Sequence, residues 1–145
     1  MENFKNIHIG SLIRQKVEES EIEMDRMCNF LKCSEMEIEK MYNEMDLPTN
    51  TLLVWSKLLE YDFFRIYTQH LILYSPPSLL YSKEQKFENQ NPLLPKFRKN
   101  IYTIELIDFI LEMIQTGEKT KSQVISEYGI PKTTLFKWIQ KYSKN

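Results

Sequence analysis

Apolar residues along the chain recur at the three-and-four spacing of helices and hardly anywhere in the alternation of strands. Ile9, Leu12, Ile13 and Val17 mark one face of a first helix. Ser20-Glu-Ile-Glu23 and Ser34-Glu-Met-Glu37 are capping-box patterns, in which a serine and a glutamate three residues on satisfy each other's end-of-helix amides. They predict a second helix over 21–31 and a third over 35–43. Asp46 to Asn50 reads as a loop around Pro48, and 51–74 as a single long helix rich in leucine and aromatics. Trp55, Leu58, Leu59, Phe63, Ile66 and Tyr67 surround much of that helix. A unit of this size has a limited core, so a partner subunit or the following segment is expected to cover part of them.

The segment 75–100 holds four of the six prolines, with Asn and Gln between them, and ends in Lys96, Phe97, Arg98 and Lys99. Proline removes a helix donor and biases the preceding residue to extended backbone, so a linker is expected. Helical periodicity resumes over 103–116 with Ile104, Ile107, Ile110, Leu111 and Ile114, and Gly117 is a natural stop. Thr120-Lys-Ser-Gln123 is another capping box, opening a helix to Tyr128 that buries Val124, Ile125 and Tyr128. Gly129 closes it, and Ile130-Pro131 turns the chain into a last helix over 132–144. There Leu135, Trp138, Ile139 and Tyr142 share the inward face. Thr133, Lys137, Gln140 and Lys144 form the opposite stripe, with Thr134 and Lys141 beside it. The expected fold class is all-α: two small helical units, each containing a helix-turn-helix, joined by a Pro/Asn-rich linker, with boundaries 1–74, 75–100 and 101–145.

Composition supports packed helices: of 145 residues, 42% are hydrophobic and 12% aromatic, with three glycines in all. No apolar run approaches the roughly 20 residues of a membrane span, and the start lacks a signal-peptide pattern, so a cytoplasmic, nucleoid-associated protein is expected. The formal charge of −1 conceals an asymmetry. Residues 1–70 carry eight Lys/Arg against thirteen Asp/Glu, a formal −5, and residues 71–145 carry eleven against seven, a formal +4. The basic half is the candidate for a polyanion. Catalysis is not expected: His8 and His70 stand apart, no Gly-rich phosphate loop occurs, and no cofactor or small-molecule substrate is implied. Cys28 and Cys33 lack an accompanying Cys/His cluster and read as small core residues rather than metal ligands.

The outward stripe of the last helix has the chemistry of a major-groove reader. Lysine reaches phosphates or guanine acceptors, glutamine pairs with adenine, and threonine offers a hydroxyl and a methyl. The candidate DNA-binding residues there are Lys132, Thr133, Thr134, Lys137, Gln140 and Lys141. Lys119, Lys121 and Ser122 stand beside them for phosphate contact, with the amides opening the preceding helix, and Arg98 and Lys99 form a basic arm. The alternative for such a stripe is a solvated lysine face on a small bundle.

The run Val124 to Trp138, with its Tyr128-Gly129-Ile130-Pro131-Lys132-Thr133-Thr134-Leu135-Phe136-Lys137-Trp138, resembles the helix-turn-helix of insertion-sequence transposase small subunits over about 103–142. That resemblance implies binding to element ends, with Lys132, Thr133, Thr134 and Lys137 toward DNA and catalysis on a separate protein. In that family a leucine zipper usually follows the module, whereas here the module lies near the last residue.

Over about 7–62 the chain resembles the Cro-repressor-like (Xre) helix-turn-helix fold. Cys28 to Ser34 correspond to its "Ala-x-x-Leu-Gly-Val-Ser" turn, and Pro48-Thr49 with Leu52 and Leu53 correspond to its fourth-helix opening. Glu35, Glu37 and Glu39 stand where that fold would face the groove, and carboxylates oppose a negatively charged duplex. The N-terminal unit is therefore expected to bind a second copy or a partner protein. The expected function is sequence-specific binding of double-stranded DNA by a transposase-associated protein without its own catalytic domain. The alternatives are a transcriptional regulator, antitoxin-like or repressor, and an adaptor that binds protein only.

Overall fold

The computed structural model describes residues 2–75, 93–95 and 100–142, and the chain is all-α: no strand occurs among the described residues. It divides into two compact units, Glu2–Thr68 and Gln69–Asn145. The division falls six residues before the proline-marked boundary at Ser75. Most of the segment read as a linker, including the arm residues Arg98 and Lys99, lies outside the described residues, as does Lys144.

The N-terminal unit contains α1 (Glu2–Lys5), α2 (Ile9–Ser20), α3 (Met24–Leu31), α4 (Glu35–Tyr42), α5 (Thr49–Leu58) and the first turn of α6 (Phe64–Tyr74). Ile9, Ile13, Ile38 and Trp55 are fully buried at its centre, and Cys28 and Cys33 pack at the edge of the same core. His8 caps α2, its Nδ1 accepting the Ser11 amide at 3.2 Å. The next two amides, of Ile9 and Gly10, donate to the carbonyls of Met45 and Glu44, each at 3.1 Å. The chain leaving α4 thus satisfies donors that a helix start leaves without intrahelical partners. That contact requires a glycine: a Cβ on residue 10 would collide with the Met41 carbonyl and lie 2.6 Å from those of Tyr42 and Glu44.

Two expectations are corrected here. Ser20 does not open a helix; it is the last residue of α2. The chain leaves through Glu21 in a left-handed conformation (φ 52°), Ile22 packs on the core, and α3 starts at Met24. The helix expected over 51–74 is two helices, interrupted at residues 59–63. Glu60 takes φ 50°, and the Asp62 carboxylate accepts the Phe64 amide at 3.1 Å and pairs with Arg65 at 3.2 Å. An uninterrupted helix would splay Leu58 and Phe63 by about 140°, whereas the break buries both. The unit's own core therefore covers much of the aromatic segment, leaving Tyr61 edge-on to Phe63 with centroids 4.8 Å apart.

In the C-terminal unit, the rest of α6 is followed by α7 (Ile104–Gln115), α8 (Lys121–Tyr128) and α9 (Lys132–Tyr142). Gln69 is fully buried and satisfied at both ends of its amide. Its Nε2 donates to the Ile101 carbonyl at 2.7 Å, and its Oε1 accepts from the Thr103 amide at 3.2 Å. Thr103 in turn caps α7 by accepting the Leu106 amide at 3.2 Å. Leu106, Ile107, Ile110, Leu111 and Met113 are buried. Ile104, expected inside, is exposed: it lies at the edge of that face and at the first residue of the helix.

Gly10→Ala is expected to destabilise the N-terminal unit by about 1–3 kcal/mol, since backbone carbonyls must shift to admit the methyl. Gln69→Leu is expected to cost the C-terminal unit about 1–3 kcal/mol by stranding the Ile101 carbonyl and the Thr103 amide. Urea unfolding checks both, and wild-type midpoints would contradict these packing assignments.

Candidate nucleic-acid interface

The site is built on α8, the turn 129–131 and α9. The Thr120 hydroxyl accepts the Gln123 amide at 3.2 Å, and the Gln123 side-chain carbonyl accepts the Thr120 amide at 2.8 Å, completing the expected capping box. Gly129 ends α8 in the left-handed region (φ 60°), which glycine enters without the Cβ penalty. Ile130 is fully buried and pins the turn, and the Pro131 carbonyl accepts the Leu135 amide at 3.0 Å as α9 begins.

Leu135 and Trp138 are buried and seat α9 on the unit. Trp138 meets Tyr102 edge-on, with ring centroids 4.9 Å apart. Ile139 and Tyr142, expected inside, are half-buried at the margins of this face. On the other side Lys132, Thr133, Phe136, Lys137, Gln140 and Lys141 are exposed, and Thr134 is half-buried. Lys121 and Ser122 are exposed in the first turn of α8. Six of the expected DNA-binding residues thus share α9, and two more begin α8.

Lys119 differs from the rest. It is half-buried, forms an ion pair with Glu127, and lies 5.6 Å from the centre of the Tyr128 ring. The hydrogen bond to Glu127 raises its pKa, so it stays charged, but the adjacent carboxylate offsets that charge. By contrast, Lys121, Lys132, Lys137 and Lys141 have no ion-pair partner among the described residues.

The outward face of α9 also carries one side chain absent from the expected set. Phe136 remains 44% exposed, with Lys121 Nζ 5.4 Å and Lys132 Nζ 5.7 Å from its ring centre. The signal was its register, three residues after Thr133 and four before Gln140, which places it on the outward stripe.

Helix α4 of the N-terminal unit carries the opposite charge. Glu35, Glu37 and Glu39 are exposed on α4. The Ser34 amide donates to Glu37 at 2.7 Å and holds its carboxyl below the ordinary carboxylate range. Among the described residues, no group of three or more His, Cys, Asp and Glu could hold a metal ion, and no helix is long and apolar enough to cross a membrane. No protein-family model, curated protein or solved structure matches the chain.

Leu135→Ala is expected to cost about 2–5 kcal/mol, as a buried leucine does. Lys137→Ala is expected to change stability by no more than about 0.5 kcal/mol. Thermal unfolding of the two variants separates the residue that seats α9 from the residue it displays; equal losses would contradict the assignment.

Proposed function

We propose that this chain binds double-stranded DNA by docking the outward face of α9 in the major groove. The observation that carries the reading is the sidedness of that helix. Leu135 and Trp138 are buried, while Lys132, Lys137 and Lys141 stand exposed with Thr133 and Gln140 between them. Phosphate contacts set the position of such a helix, and polar side chains on base edges supply sequence preference. Lys121 and Ser122, in the first turn of α8, reach the flanking phosphates, where the positive end of the helix dipole adds to the attraction.

The resemblance of this module to transposase small subunits supports a transposition-associated role on nucleoid DNA, with chemistry supplied by another protein. The N-terminal unit displays carboxylates where the groove-facing helix of a repressor-like fold would stand. It serves as the contact for a second copy or for a partner protein. Joining two α9 modules would raise affinity by effective concentration.

Duplex affinity is expected to fall steeply with salt, with a log–log slope of roughly −0.9 per phosphate neutralised. Lys137→Glu is expected to weaken binding by about tenfold or more at fixed salt, whereas Glu37→Lys leaves it no weaker. Glu127→Gln, which removes the carboxylate paired with Lys119, is expected to tighten binding and steepen the slope by about one. Fluorescence anisotropy over a salt series measures all three. A salt-independent affinity, or no affinity for any duplex, would contradict DNA binding and favour a protein adaptor.

A further inference from the structure

We propose that Phe136 is a specificity-determining residue that packs against the C5-methyl group of thymine in the major groove. This rests on the reading of α9 as the DNA-docking helix and adds to it a base preference. Single exposed apolar residues are common on proteins, so exposure alone decides nothing. The setting decides. The ring occupies the outward stripe, one turn from Lys132 on one side and one turn from Gln140 on the other. Two ammonium groups from different helices converge on it, Lys121 from the start of α8 and Lys132 from the start of α9, at 5.4 and 5.7 Å. Both distances lie within cation–π range.

The ring is thus an apolar centre flanked by cations, complementary to a groove whose walls are phosphates and whose floor is base edges. A phenyl ring has no donor or acceptor for the polar atoms on that floor. The apolar group that the major groove offers is the thymine methyl, and phenylalanine is among the side chains that contact it. Gln140, four residues on, is suited to adenine by its paired donor and acceptor. Phe136 and Gln140 together therefore specify a half-site in which thymine and adenine stand near each other.

The test uses the full chain. Wild type and Phe136→Ala each select duplexes from a random pool, and each thymine of the wild-type site is then replaced by deoxyuridine, which lacks only the methyl. Wild type is expected to lose about fourfold in affinity at one thymine, the effect of one methyl-sized group leaving water. Phe136→Ala is expected to lose the thymine preference at that position, keep the others, and ignore the deoxyuridine substitution there. Circular dichroism confirms that the variant keeps its helices; should it unfold, the deoxyuridine series on wild type decides alone. A wild-type protein that selects a site but binds every deoxyuridine duplex as tightly as its thymine parent overturns the role of Phe136 and leaves DNA binding standing. A Phe136→Ala consensus identical to wild type does the same. A wild-type protein that enriches no duplex overturns both.

Discussion

Burial of Leu135 and Trp138 is the constraint on which the candidate interface depends. A helix has two sides, and the one that supplies packing determines which residues are left for solvent or a ligand. In α9 the packed side is narrow: Leu135 and Trp138 are buried, and Ile139 and Tyr142 lie at its margins. Outside that strip Lys132, Thr133, Phe136, Lys137, Gln140 and Lys141 are displayed, with Thr134 half-buried. The turn adds a second fixed point, because Ile130 is buried between a left-handed Gly129 and Pro131, so the entry to α9 is anchored as well as its body. A helix held this way needs no backbone ordering to bind a ligand, so the ordering cost falls on its exposed side chains.

The same economy appears at the other joints. Gln69 satisfies the two backbone groups that lead into α7, and the carbonyls leaving α4 satisfy the amides that open α2. In both places a buried polar group has a partner within the same unit, which is what makes a tight joint between short helices affordable in free energy. Surface charge then separates by unit. The exposed glutamates of α4 and the exposed lysines of α9 sit on helices that both follow a short turn, yet they suit opposite partners.

Much of this was legible in the residues, and the exceptions have physical causes. The capping boxes at Ser34 and Thr120 are local, carried by four consecutive residues each, and both form. The box at Ser20 has the same letters and does not form: α2 runs on through Ser20, the chain leaves by Glu21, and Ile22 packs on the core before α3 starts at Met24. A local pattern cannot register that competition. The break at residues 59–63 was hidden for a similar reason: Asp62 is a good cap, but the decision to stop at Leu58 comes from burying Leu58 and Phe63 together. Within the site, Lys137 and Gln140 follow from helical register alone. The engagement of Lys119 by Glu127 spans eight residues across the start and the last turn of α8, and no spacing rule within one helix anticipates it. Phe136 was accessible to the register argument, yet an aromatic in a small domain is normally assigned to the core.

The most direct test of the central claim is residue-resolved: nuclear magnetic resonance shift mapping of the whole chain titrated with a duplex it has selected. The largest changes should cluster on the amides of Lys132, Thr133, Phe136, Lys137 and Gln140 and at Lys121 and Ser122, with α4 little affected. Changes centred on Glu35 to Glu39, or on the buried side of α9 through loss of its helix, would contradict docking by the outward face.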